Sequence, residues 1–240
     1  MSFQEDRVII KARNIKKYYD RKQVLDIEEF RLYEGKFNLL LGPNGSGKTT
    51  LLNILSLLDE NYQGKVFYKG QSIKKKEYLE QRRKFAVIWQ NPYLYKGTIA
   101  FNIGLPLRLR NMPREEIKER VEGIARELAI EYLLDRRSNE LSGGELQKVS
   151  IARAIISEPE VLFVDEHTNN LDEESKVFYN TLFERMVESK MTLMVITHDL
   201  EQVEHLVDYV TVLKGGKIVV TGCKEDILES GLKKLPLFKG

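Results

Sequence analysis

The stretch Phe37-Asn-Leu-Leu-Leu-Gly-Pro-Asn-Gly-Ser-Gly-Lys48-Thr49-Thr50 decides the fold. Its apolar start reads as a short buried strand, its glycines as a loop, and Lys48 onward as a helix with Leu51, Leu52, Ile54, Leu55 and Leu58 on its apolar side. The spacing fits G-x-x-x-x-G-K-[ST] in the context strand, glycine loop, helix. Gly42, Gly45 and Gly47 allow a tight turn whose N–H groups converge, and with the helix start they form an anion cradle. Lys48 supplies a point charge to the outer phosphates of a nucleotide. Thr49 supplies a hydroxyl of the kind Mg²⁺ takes, because that ion prefers hard oxygen ligands and keeps phosphate oxygens and water in its shell.

A cradle alone only binds, so hydrolysis needs a carboxylate nearby. Val161-Leu-Phe-Val-Asp165-Glu166 is an apolar run ending in two acids, which reads as a buried parallel strand delivering both to the ligand crevice. It is expected beside the strand that ends at Gly42. Asp165 is then the magnesium partner, and Glu166 polarises the attacking water.

Further along, Leu141-Ser-Gly-Gly-Glu-Leu-Gln147 opens a segment of helix-favouring composition. Ser-Gly-Gly before a helix is by itself an N-cap and a turn. Together with the motifs above, the sequence resembles the nucleotide-binding subunit of an ATP-binding cassette (ABC) ATPase, the kind that drives membrane transporters, over nearly its whole length. Gln90, after Phe85-Ala-Val-Ile-Trp89, is similar to the family's Q-loop, Asn169-Asn-Leu-Asp172 to its D-loop, and His198, after Leu193-Met-Val-Ile-Thr197, to its switch histidine.

The resemblance implies the roles that follow. ATP contacts Tyr19, Gly42, Pro43, Asn44, Gly45, Ser46, Gly47, Lys48, Thr49 and Thr50. A second subunit contributes Ser142, Gly143, Gly144, Glu145 and Gln147 to the same nucleotide, so each ATP is sandwiched between two chains, with Asp172 at their contact. Glu166, His198, Lys48 and Gln90 carry the chemistry, and Thr49, Gln90 and Asp165 hold Mg²⁺. Tyr19 is preferred over Tyr18 for stacking on adenine, and Tyr18 is expected to pack on a small sheet. Base stacking of this kind is worth only about 1–3 kcal/mol, so selectivity for ATP over GTP is modest.

The implied fold is α/β: a RecA-like P-loop NTPase core with a mostly parallel sheet, an antiparallel β-subdomain and a helical subdomain carrying the signature. Residues 1–90 and 151–240 form the core and 91–150 the helical part. Periodicity agrees, with antiparallel strands at Arg7–Lys11 and Val24–Ile27, a return strand at Gly64–Tyr68, amphipathic helices from Pro113 and over Val121–Leu134, and a hairpin around Gly215-Gly216. The extra C-terminal domain of some importer ATPases is not expected.

Two positions depart from the family pattern. His167 stands where proline commonly follows the catalytic glutamate, which leaves φ unfixed and the D-loop geometry freer. Lys148, where arginine is frequent, is expected to alter surface charge only. His167 and His205 carry no assigned role.

The 240 residues are 42% hydrophobic and 31% charged, enough for one compact core. Lys and Arg total 38 against 36 acids, a balance that gives no reason to invoke nucleic acid; Lys74–Lys76 and Arg82–Lys84 read as solvated faces. One cysteine, Cys223, permits no internal disulfide. With neither a leader-like N-terminus nor an apolar run of about 18 residues, the expected location is the cytoplasmic face of a cell membrane, beside permease subunits.

Apolar groups in Pro92-Tyr-Leu-Tyr95, Ile99 and Phe101 flank Gln90, where the family receives a membrane subunit. A homodimer is expected. Leu51–Asp59 and Gly104–Arg110 are similar to ATPases of small-anion importers for tungstate or phosphate. Cluster assembly and a hydrolysis-dead binding module are the alternatives; the intact Glu166 and His198 speak against the second, and long heptad insertions or a second cassette, which other soluble relatives carry, are absent from the pattern.

Overall fold

The computed structural model describes residues 6–165, 173–197 and 203–229, with backbone only at 173–176 and 228–229. Its centre is a six-stranded sheet of β3 (Phe37–Leu41), β6 (Phe85–Ile88), β7 (Val161–Asp165), β8 (Thr192–Ile196), β9 (Tyr209–Lys214) and β10 (Lys217–Cys223), in the order β10-β9-β3-β8-β7-β6. All neighbours are parallel except the β9–β10 hairpin. β3, β7 and β8 are buried along their full lengths, as interior parallel strands covered on both faces must be.

The order corrects one expectation. β7 does not lie beside β3, because β8 sits between them, pairing Leu39 with Val195 on one side and Val164 with Val195 on the other. β8, buried along its length, has its backbone groups paired on both edges there. Asp165 and Leu40 consequently both align with Ile196, two strand spacings or about 10 Å apart.

Alternation along β3 assigns the two layers. Leu39 and Leu41 face a core built with α3 (Ile99–Arg108), α4 (Arg114–Glu127), α5 (Gly143–Ile155) and α6 (Glu173–Glu188). Leu40 faces the other way, toward α1 (Lys48–Leu55) and the smaller sheet. That sheet is antiparallel, in the order β2 (Lys22–Tyr33), β1 (Val8–Tyr19), β4 (Gln63–Tyr68), β5 (Gln71–Ser72), as the periodicity predicts for its first three strands. Two further short helices among the described residues are α2 (Tyr78–Arg82) and α7 (Lys224–Glu229). This is the architecture of a P-loop NTPase. No helix among the described residues is long and apolar enough to cross a membrane.

Candidate active site

β3 ends at Leu41 and the chain enters the glycine loop. Gly42 has φ 152°, and a Cβ there would lie 2.0 Å from the Leu213 carbonyl oxygen. Gly47, the N-cap of α1, has φ 103°, with the Leu25 side chain 2.6 Å from any added Cβ. These two glycines are required by close approach to β9 and β2. Gly45 differs: its φ is 74°, but nothing lies within 4 Å of its would-be Cβ, so the crest of the loop is open.

The loop is braced from behind. The Gly216 N–H donates to the Ser46 carbonyl at 3.0 Å, and the Asp26 N–H donates to the Gly216 carbonyl at 2.8 Å, so the β9–β10 turn ties the loop to β2. Gly216 itself tolerates no side chain, since a Cβ would meet the Val24 carbonyl at 2.3 Å. Sequence reading saw a hairpin at Gly215-Gly216 but not that its tip is a structural part of the phosphate loop.

Lys48 is buried, and its ammonium donates to the Gly42 carbonyl at 2.9 Å and the Pro43 carbonyl at 3.1 Å, which curls the side chain back over the loop. Thr49 is exposed on the first turn of α1, with Thr50 partly covered. Asp165 is buried at the end of β7 and Gln90 is exposed just past β6. Pro43 and Asn44 are exposed on this loop's rim. The Ser46 hydroxyl is buried without a hydrogen-bond partner.

Converging N–H groups, an ammonium, a hydroxyl, an amide and a carboxylate suit a polyphosphate with a hard divalent ion. No group of three or more His, Cys, Asp or Glu suited to a metal occurs among the described residues. A hydroxyl, an amide and a carboxylate are hard oxygen donors of the kind that Mg²⁺ carried with phosphate takes. Glu166, His167, Asn169, Asn170, Asp172 and His198 lie outside the described residues.

The signature segment opens α5 with a closed cap. Ser142 caps α5: its hydroxyl oxygen accepts from the Glu145 N–H at 3.3 Å, while the Glu145 carboxylate accepts from the Ser142 N–H at 2.8 Å and its hydroxyl at 2.9 Å. Those donors, with Arg136 at 3.4 Å, hold the Glu145 carboxyl below its ordinary range. Glu145 thus has a local role in shaping the loop. Gln147 accepts from the Tyr179 hydroxyl at 3.2 Å, which anchors α5 to α6. Ser142 and Gly143 are exposed and Gly144 is half-buried.

α5 packs on α3 and on the edge strand β6. β6 is three strand spacings from β3, about 14 Å. Lys148 does more than alter charge: its ammonium lies 5.0 Å from the Phe178 ring centroid, a further tie between α5 and α6.

On the base side, Tyr19 is 50% exposed at the end of β1. Tyr18 is also exposed rather than packed on the small sheet, because the strand end extends past the core.

Beside Gln90 lies a groove of about 730 Å³ whose lining includes Trp89, Tyr93, Tyr95 and Leu109, together with Arg82, Arg83, Arg110 and Arg153. Tyr93, Tyr95 and Leu109 are exposed. Three residues assigned to this surface from sequence are placed elsewhere: Leu94 is buried in the helical core, and the other two lie in α3. Ile99 is fully buried in the helical core, because it opens α3 on its inward side, and Phe101 is half-buried with the Arg108 guanidinium 5.4 Å from its ring. Sequence reading missed Asn102, fully buried, which donates to the carbonyls of Tyr95 and Thr98 at 2.9 Å and accepts from the Tyr95 N–H at 2.7 Å. It fixes the tyrosine loop from below, and a polar residue among apolar ones in α3 was the only available signal.

Comparison with known proteins gives the family. A profile of the family described as ABC transporter matches residues 25–169. The tungstate uptake system ATP-binding protein TupC of Peptoclostridium acidaminophilum is 37% identical over 213 residues, covering 87% of this chain and 96% of that protein. The lipoprotein-releasing system ATP-binding protein LolD of Aquifex aeolicus (strain VF5) is 37% identical over 216 residues, covering 88% and 96%. A solved nucleotide-free ATP-binding cassette from an ABC transporter superposes with a TM-score of 0.81 at 27% identity, over 96% of this chain and 97% of its own. These matches over most of the chain show that it belongs to the ABC transporter family, as an ATP-binding subunit that hydrolyses ATP to drive transport.

Proposed function

We propose that two copies of this subunit enclose two ATP molecules and that closing and reopening moves a solute through separate membrane subunits. The observation that carries this reading is the separation of the glycine loop from the signature helix. The signature helix packs at edge strand β6, about 14 Å across the sheet from β3, while its serine and first glycine face solvent. A second chain is the natural donor of the missing wall.

In this reading the loop Gly42–Thr50 grips the triphosphate and Tyr19 stacks on the base. Thr49, Asp165 and Gln90 hold Mg²⁺, which when bound neutralises phosphate charge. Glu166 orients the water, His198 steadies the γ-phosphate, and Asp172 lies at the contact between chains. Ser142, Gly143 and Gly144 close on the nucleotide from the partner, with Glu145 and Gln147 behind them. Catalysis is positioning and electrostatic stabilisation. Residues 91–150 act as the helical subdomain that brings the signature across, against a core of 1–90 and 151–240. The groove beside Gln90 receives the permease at the cytoplasmic face of the membrane.

For the solute we propose a small oxyanion, supported by the identity with TupC and by Leu51–Asp59 and Gly104–Arg110. Lipoprotein release is the second reading, favoured by the equal identity with LolD.

Mixing two inactive variants tests the composite site. Lys48→Met disables a cradle and Ser142→Arg disables a signature, each lowering ATP hydrolysis by roughly 10²–10⁴. In a mixed dimer one site contains both lesions and the other contains neither. Combining the variants is expected to restore hydrolysis to about a quarter of wild type if pairing is random. No recovery would show that cradle and signature act within one chain.

A further inference from the structure

The end of β1 carries a polar arrangement with no part in the roles assigned so far. Lys17 is only 3% exposed, yet its ammonium donates to the Asn61 carbonyl at 2.7 Å and pairs with Asp59 at 2.6 Å. An enclosed ammonium is tolerated where such partners compensate its charge. The same ammonium lies 4.8 Å from the centroid of the Tyr19 ring. Lys17 and Tyr19 are two positions apart on one strand and share a face, one enclosed and the other half open to solvent.

The surroundings place this pair next to the phosphate loop. Between Lys17 and Tyr18 the β1–β2 register shifts, with Lys17 opposite Leu25 and Tyr18 opposite Gln23, so that Val24 is the extra residue of a bulge. The Val24 carbonyl crowds Gly216, 2.3 Å from its would-be Cβ, and lies 3.2 Å from that of Gly47, behind the Leu25 side chain at 2.6 Å. The Asp59 tether is joined to α1 as well, since its N–H donates to the Asn53 carbonyl at 3.0 Å. The Lys17 ammonium beneath Tyr19 is therefore tied, through Asp59 and α1, to an element that also shapes the phosphate cradle.

We propose that Lys17 is a positioning residue for the base of ATP: anchored by Asp59 and Asn61, it holds the Tyr19 ring and polarises it for stacking on a purine. The inference rests on Tyr19 being the base platform. A cation at one face of an aromatic ring draws π density toward itself, and the depleted opposite face repels an electron-rich purine less.

Calorimetric titration of the full chain with ATP and with inorganic tripolyphosphate, both with magnesium, separates the base from the phosphates. Lys17→Met is expected to weaken ATP by about threefold to tenfold while tripolyphosphate stays within about twofold. Lys17→Arg keeps a cation and restores the preference for ATP. In a Tyr19→Leu background the Lys17→Met effect on that preference disappears. Equal weakening of both ligands, no change in either, or an undiminished effect without the tyrosine ring overturns the proposal. A preference unmoved by Tyr19→Leu alone refutes the platform reading, and this inference with it. Should Lys17→Met not fold, Asp59→Asn takes its place, keeping an acceptor while removing the ionic anchor: a lowered preference for ATP supports the role and an unchanged one overturns it.

Discussion

At the scale of single residues, the glycines of the phosphate loop divide into two kinds. Gly42 is enclosed, with φ 152° and a backbone oxygen 2.0 Å from any Cβ, whereas Gly45 has φ 74° and open space around it. Gly42→Ala forces β3 and β9 apart, at a cost on the order of 3 kcal/mol. For a chain of 240 residues that lowers Tm by roughly 6–12 °C. Gly45→Ala meets only the conformational penalty, about 1 kcal/mol, and lowers Tm by roughly 2–4 °C. Melting curves of the two variants by circular dichroism check the difference; equal shifts would mean that the enclosure of Gly42 relaxes at little cost. The motif was legible in sequence because phosphate binding demands glycine at fixed spacing. Which glycine serves the fold and which serves the ligand was not, since Leu213 and Val24 reach the loop only through tertiary structure. Lys17 and Asn102 stayed hidden for the same reason: one looks like a charged strand residue and the other like a polar residue in a helix until their partners are in place.

At the scale of elements, strands β3, β7 and β8 could be read as buried runs, because parallel strands covered on both faces are apolar without alternation. Their order could not, since pairing is set by crossovers that leave no local pattern. The signature helix shows the opposite balance. Ser142 and Glu145 sit three residues apart, the spacing of a capping box, and the structure forms that box. The tyrosine loop between β6 and α3 belongs to this scale too. Asn102 pins its backbone from the core side, leaving Tyr93 and Tyr95 on the groove rim opposite Leu109. An exposed apolar and aromatic rim over a pocket lined by four arginines and no carboxylate is what a docking surface offers a partner segment. Replacing Tyr95 and Leu109 together with serine removes apolar contact without touching Asn102 or the phosphate loop. The expected outcome is hydrolysis by the isolated subunit within about twofold of wild type, with binding to the permease weakened by roughly tenfold or more. Co-purification and ATPase assays of the reconstituted complex measure both. A complex that assembles and transports normally would remove the groove from the interface.

At the scale of the whole molecule, two full-length comparisons point to different cargo with the same weight. TupC and LolD are each 37% identical to the chain, and one is named for tungstate uptake and the other for lipoprotein release. That tie has a physical reason. The parts of this chain that carry its energetics are the phosphate loop, the strand carboxylate and the signature helix, and all of them handle ATP. A solute that crosses a membrane through other chains leaves its mark on this one only indirectly, through the groove that receives them. Sequence identity along an ATP-binding subunit therefore reports the shared engine and discriminates poorly between loads. The discriminating measurement has to be made on transport. Cells lacking this subunit are expected to lose accumulation of labelled tungstate at low external concentration and to regain it with the wild-type chain but not with Lys48→Met, which keeps the groove and loses the phosphate charge. Their release of lipoproteins should continue unchanged. The reverse pattern, normal tungstate entry with lipoproteins retained in the membrane, would move the chain to the other side of the tie, and it would do so without altering the account of how ATP is enclosed.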